Sequence, residues 1–200
     1  MSQEDKKLNE QSGDVRFSDS VSIEPAAHAA GRYANKDRVR VFAGLALVWL
    51  VFDRLSKMYF ENSYGIDQVS SLDYLLFRFR LVHNTGAAWG MFGDSTFILG
   101  IVSVLVCVAI VVLFVCFEKI FEHPASLVES AALGLVLAGG LGNAIDRFLN
   151  GYVVDFIDLT FIDFPVFNIA DIGVTCGFVI FIGCIIMSWV REKNTGDVND

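Results

Sequence analysis

Two short polar units interrupt long apolar runs in this chain: Asn143-Ala144-Ile145-Asp146 and Asn168-Ile169-Ala170-Asp171. Each sets an Asn three residues before an Asp, which makes the two side chains neighbours on a helix. Two carboxylates brought close together cannot both ionise cheaply, so they share one proton and supply an acid and a base. Taken singly, each unit has a plainer reading. Asn168 can cap a helix that carries Asp171 in its first turn, and Asp146 can pair with Arg147 or another basic residue. Two matched units on neighbouring apolar segments favour a site, because intramembrane carboxylates are costly unless used or well paired. Asp53 and Lys57 stand four residues apart, as a site pair or as a structural ion pair at a helix end. His83 is a lone loop histidine and suits a structural role. No HExxH, GxSxG or phosphate-binding glycine loop occurs, and no residues have a metal-ligand spacing, so no metal or other cofactor is expected. Cys107, Cys116, Cys176 and Cys184 all lie in apolar runs without a CxxC and are expected to pack or face lipid.

The elements that must hold these residues are apolar helices. Hydrophobic residues make up 54% of the 200 residues and charged residues 19%, with a mean hydropathy of +0.53. These values exclude a disordered chain, a small disulfide scaffold and an ordinary soluble enzyme. They indicate a mainly α polytopic membrane protein. A span needs about 20 mostly apolar residues. Ser95–Phe117 and Ile172–Val190 meet this directly, and Ser130–Ile145 does so when extended back through Ala125–Leu127. Val41–Phe52 is short and becomes a span by starting near Val39 and carrying Asp53 and Lys57 at its far end. Four spans place Asp146 and Asp171 at the same membrane depth; an odd number would split the polar features between the two faces.

Gly134, Ala138, Gly142 and Asp146 recur every four residues along one helix face. Gly173 and Gly177 repeat the pattern on the next helix, so both allow close helix approach. Residues 1–38 are polar and mixed in charge, and read as a disordered tail rather than a signal peptide. Arg32, Lys36, Arg38, Arg40, Lys119, Arg191 and Lys193 fall on one side of the spans. Arg54, Lys57, Arg78, Arg80 and Arg147 fall on the other. The bias puts both termini, including 193–200, in the cytoplasm. Loops 58–94 and 147–167 then face outward. Phe77–Leu81 alternates with period two, and Tyr152–Phe167 is β-branched and aromatic with Asp155, Asp158 and Asp163 through it. A small extracytoplasmic sheet at the lipid interface is expected. The net charge of −8 says little, since sorting counts Lys and Arg near the spans, and no basic cluster is large enough to suggest a nucleic-acid partner.

Five blocks in order resemble one family: Asp53-Arg54-Leu55-Ser56-Lys57, Asn84-Thr85-Gly86-Ala87-Ala88-Trp89-Gly90, Gly142-Asn143-Ala144-Ile145-Asp146-Arg147, Val153-Val154-Asp155-Phe156 and Phe167-Asn168-Ile169-Ala170-Asp171. Together they are similar to the motifs of lipoprotein signal peptidase (signal peptidase II), over roughly residues 40–192. The resemblance implies an aspartic endopeptidase of the bacterial inner or plasma membrane. Such an enzyme cuts the signal peptide from prolipoproteins just before a cysteine that carries diacylglycerol. It implies Asp146 and Asp171 as the catalytic pair. Asn143, Asn168 and Ala170 would lie around them, and Asp53, Lys57, Asn84, Gly86 and Arg147 would support the site or contact substrate. Asp155 suits a loop-ordering role as well as a place in the site. The implied domain is a four-helix peptidase over 39–192, monomeric, whose partners are lipid-modified prolipoproteins and membrane lipid. Polar residues gathered at one face speak against a transporter or channel subunit, and a non-catalytic lipid-binding scaffold is the third class.

Overall fold

A computed structural model describes residues 35–86 and 95–196. The tail over 1–34 and the Ala87–Gly90 part of the second block lie outside the described residues. Helix α1 (Asn35–Ser63) leads into a hairpin of β1 (Val69–Tyr74) and β2 (Phe77–Asn84). Helix α2 (Thr96–Val115), a short α3 (Phe117–Phe121) and helix α4 (Leu127–Leu149) follow. Strand β3 (Val153–Leu159) then joins the sheet before the last helix, α5 (Ile169–Gly196).

Three of these helices are long and apolar enough to cross a membrane: Thr96–Val115, Leu127–Leu149 and Ile169–Arg191, with mean hydropathies of 3.3, 1.4 and 2.4. The expected first span falls in α1. That helix has 29 residues, about 44 Å at 1.5 Å per residue. Its apolar middle is bracketed by Arg38 and Arg40 at one end and by Asp53, Arg54 and Lys57 at the other. Those charges keep α1 outside the apolar class.

Helix α4 is the centre of the bundle. Its apolar stretch is 61% buried, against 11% for α2 and 17% for α5, and it packs on α1, α2 and α5. The small-residue stripe makes this possible. A Cβ on Gly134 would stand 2.6 Å from the Phe42 carbonyl oxygen of α1. One on Gly142 would run into the Asp53 carboxylate. Helix α4 starts on a capping box: the Ser126 hydroxyl accepts from the Glu129 N–H (3.2 Å), and Glu129 accepts from the Ser126 N–H (2.7 Å). Buried Glu129 is thereby accounted for without a transport role. Cys107 is buried with its Sγ 3.8 Å from the Leu137 carbonyl, whereas Cys176 is exposed, which matches packing and outward-facing roles.

The expected sheet is present, antiparallel and in the order β1-β2-β3. Its apolar face seats on the end of α1. Phe60 stacks on Phe156 with ring centroids 4.1 Å apart, and Leu81 and Val154 are buried beside them. Burial of a side chain of this size stabilises by about 1.5–3 kcal/mol, so this cluster holds the sheet over the helix ends. At the far end Arg78 pairs with Asp158 across the strands at 2.8 Å. Gly151, at φ 77°, makes the turn that returns the chain from α4 to β3.

Candidate active site

Lys57 is the hub of the polar region. It is 1% exposed, and its ammonium has three donors. It donates to Asn143 Oδ1 at 2.9 Å and forms ion pairs with Asp53 Oδ2 at 3.0 Å and Asp146 Oδ2 at 2.9 Å. Asp146 is fully buried. It accepts in addition from Arg54 Nη1 and, at 3.3 Å, from the Val154 N–H. The remaining oxygen of Asp53 accepts the Ala170 N–H at 3.0 Å, which fixes the first turn of α5 against α1. Trp49 strengthens that join by donating to the Ile169 carbonyl at 3.0 Å.

The second half of the network begins at the start of α5. The Asn168 N–H donates to Asp171 Oδ2 (3.0 Å), and the Asp171 N–H donates back to Asn168 Oδ1 (3.1 Å). This is the helix-capping arrangement that the plainer reading of Asn168 and Asp171 anticipated. The capping residues also reach outward. Asn143 donates to Asp171 Oδ1 at 2.7 Å. The two Nδ2 hydrogens of Asn168 go to Asn143 Oδ1 (3.1 Å) and to Asp155 Oδ1 (2.6 Å). Asn143 therefore links the Lys57 half to the Asp171 half.

Asp155 reaches this centre from β3. Its second oxygen accepts from Asn84 Nδ2 at 2.9 Å, and Asn84 Oδ1 accepts the Gly86 N–H at 3.0 Å. Burial, followed by the nearby charge of Asp171, pushes the Asp155 carboxyl up to about 7; the amides of Asn84 and Asn168 and the charge of Lys57 oppose that rise. Arg147 donates to Ser103 Oγ at 3.3 Å, and its charge acts on Asp171, Asp155 and Asp146. A cleft of about 750 Å³, lined by Asn84 and Asp155 on the sheet side and by Phe164 and Val166 opposite, opens onto Asp155.

Asp53, Lys57, Asn84, Asn143, Asp146, Arg147, Asn168, Ala170 and Asp171 thus converge, and Gly86 joins through Asn84. Among the described residues, Asp146 is linked to Asp171 through Lys57 and Asn143. Asp155 shares Asn168 with Asp171 directly. Sequence reasoning passed over Arg54 as a partner of Asp146, because a residue adjacent to Asp53 points away from it on a helix and carries no spacing signal.

The family model described as signal peptidase (SPase) II matches residues 45–187. The chain belongs to the signal peptidase II family. Membership makes it a peptidase, and its apolar helices make it a multi-pass membrane protein. It is 33% identical to the lipoprotein signal peptidase of Syntrophomonas wolfei over 152 residues, 76% of this chain and 97% of that protein. It is 32% identical to the lipoprotein signal peptidase of Staphylococcus aureus, over 75% of this chain and 90% of that one. A solved bacterial membrane enzyme, 28% identical, superposes with a TM-score of 0.66 over 82% of this chain and 93% of its own. A second, 30% identical, gives 0.64 over 76% and 94%. The five blocks of this signal peptidase II family member fall inside the matched region.

Proposed function

We propose that this protein removes the signal peptide from diacylglyceryl-modified prolipoproteins by aspartic hydrolysis of the bond before the lipidated cysteine. Asp171 and Asp155 form the acid–base pair. The observation that carries this assignment is their joint hold on Asn168, with Asp155 raised to about 7 by burial and by Asp171. Asp146 was the partner expected for Asp171 from sequence. Its contacts favour a different role: Arg54, Lys57 and the Val154 N–H engage both of its oxygens. Both oxygens are thus committed to contacts within the fold, whereas Asp155 lines the cleft. Asp146 is assigned as the anchor for Lys57 and Arg54.

In this reading the pair holds one proton at neutral pH. Asp171 accepts from Asn143 and from the Asn168 N–H at the start of α5, which hold its carboxyl in place. It serves as the base that takes a proton from the attacking water. Asp155 carries the shared proton and gives it to the carbonyl oxygen as the tetrahedral intermediate forms; Asp171 passes the proton taken from water to the leaving amine, and Asp155 recovers its own as the carbonyl re-forms. Asn168 keeps the two carboxyls in register. Arg147, whose charge acts on all three carboxylates, contacts substrate. The substrate's apolar signal helix and lipid tails require the scissile bond to be met at the membrane surface, and the cleft beside Asp155 opens between the sheet and loop 160–166.

The peptidase domain is 39–192, a monomer in the bacterial inner or plasma membrane. Helix α1 is the fourth span, held in the bundle by its ion pairs to α4. Reporter fusions after Glu118 and at the carboxy terminus are expected to read as cytoplasmic, and one near Gly65 as external. A cytoplasmic reading at Gly65 would reverse the assigned side.

Cleavage of a purified diacylglyceryl-modified prolipoprotein tests the function. Product ending before the lipidated cysteine is expected; its absence with active, folded protein returns the transporter and scaffold readings. The same assay is expected to proceed undiminished in strong chelator, since the site's carboxylates are engaged by Lys57, Arg54, amides and backbone N–H groups. Activity lost in chelator and restored by one divalent metal would replace the aspartic mechanism.

A further inference from the structure

A second polar cluster sits just above the site. Glu61, in the last two turns of α1, lies four residues beyond Lys57 and eight beyond Asp53, so the three share one helix face. Its Oε1 meets His83 Nε2 of β2 at 2.6 Å and accepts from the Tyr152 hydroxyl at 3.3 Å. An ionised carboxylate only accepts, so Nε2 carries the ring proton there. The His83 and Tyr152 rings stack with centroids 3.8 Å apart and planes 14° apart. Burial, with the Glu61 carboxylate, holds the Tyr152 phenol above its usual range, which keeps it a donor. Three elements are joined at this point: the end of α1, the end of β2 and the turn into β3.

The neighbouring residue gives the cluster its consequence. Asn84 follows His83 and holds Asp155 at 2.9 Å. The ladder pairs His83 with Val154 and Asn84 with Val153, past an irregularity in the β2–β3 register. Phe79 pairs with Ile157 and Val82 with Asp155, so β2 carries one extra residue between these pairs. Such a bulge interrupts the ladder and bends the strand, and the site end of β2 lies beyond it.

We propose that Glu61, with His83 and Tyr152, is a positioning group for the peptidase reaction: it ties the end of β2 to the helix that carries Asp53 and Lys57 and so sets Asn84 on Asp155. The inference rests on the reading of Asp155 as half of the acid–base pair. A displaced Asn84 leaves Asp155 out of alignment with Asp171, while the rest of the cleft lining, from Leu159 to Val166, stays in place, so the loss falls chiefly on kcat.

Steady-state cleavage by full-length variants in detergent tests it. Glu61→Ala is expected to lower kcat by about tenfold or more, the scale of a small misplacement of a reacting group, with KM within about twofold and melting temperature near that of the parent. Glu61→Gln, whose amide oxygen still accepts from His83 and Tyr152, is expected to recover most of kcat. In an Asn84→Ala background, adding Glu61→Ala is expected to cause little further fall, because both act through one contact. A parental kcat in Glu61→Ala, a fall confined to KM, or full additivity with Asn84→Ala would overturn the proposal. Asp155→Asn in the same assay separates the two failures. Activity retained there removes the acid–base reading, whereas an inactive Asp155→Asn beside a normal Glu61→Ala removes the positioning role alone.

Discussion

Asp171→Asn and Asp155→Asn are each expected to abolish cleavage, with expression and membrane insertion close to the parent's. Asn keeps the shape of Asp and much of its hydrogen bonding but cannot exchange a proton. Loss of a positioned acid or base lowers the rate by about 10²–10⁴, and by more where two groups act as a unit. The double variant should therefore be little worse than either single one. The measurement is single-turnover cleavage of a lipid-modified substrate by purified variants. Asp158→Asn and Asp163→Asn are expected to keep most activity, since Asp158 is engaged with Arg78 at the sheet's far end. Stability supplies an independent check on Asp155. Its carboxyl is raised from 3.8 to about 7 in the folded protein, so its ionisation opposes folding. Between those values the folded state binds more protons than the unfolded one. Stability from this group falls as pH rises through that window, and the penalty is complete above about 7. Asp155→Asn removes it and should melt higher than the parent at alkaline pH, with the gain fading in acid. Asp146→Asn should instead melt lower, because Lys57 and Arg54 lose a partner. Cleavage by Asp155→Asn, together with a well-folded but inactive Asp146→Asn, would return Asp146 to the catalytic pair.

The second large effect is expected at Lys57. Lys57→Met leaves Asp53 and Asp146, both fully buried, without their shared cation. Breaking a buried pair by removing one partner destabilises by about 3–5 kcal/mol. The Arg40–Asp37 pair is the contrast: its side chains are 71% and 40% exposed, and an exposed pair contributes about 0–1 kcal/mol. Thermal unfolding in detergent should show a large drop for Lys57→Met and almost none for Arg40→Met. Adding Asp53→Asn to Lys57→Met should recover part of the loss, because it removes the carboxylate left without a cation, whereas Asp146 keeps Arg54. Equal melting temperatures for the parent and Lys57→Met would show that the hub is not an energetic centre of the fold.

Much of the architecture follows from local features of the chain. Three apolar helices are readable from length and hydropathy, because a membrane span is set by its own composition. The alternation in Phe77–Leu81 marks β2, since a strand half-seated on a surface shows period two. The helical repeat places Gly134 and Gly142 on one face, and α1 does approach there. The Asn-x-x-Asp spacing joins Asn168 to Asp171 within one helical turn. Each of these needs only neighbours within a few residues.

Tertiary structure decided what those residues face. Asn143 and Asp146 have the same spacing as Asn168 and Asp171, yet both turn to Lys57, 86 and 89 residues earlier in sequence. The partner that shares Asn168 with Asp171 is Asp155, delivered by a strand whose position depends on the Gly151 turn and on the Phe60–Phe156 stack. No spacing rule relates Asp155 to Asp171, because one sits on a sheet and the other on a helix. Glu61, His83 and Tyr152 are likewise silent in sequence, since no two of them share an element. A carboxylate's chemistry is set by the dielectric and the charges around it. Asp146 and Asp155 are therefore alike as letters and differ only once the chain has placed two cations beside the first and a second carboxylate beside the other.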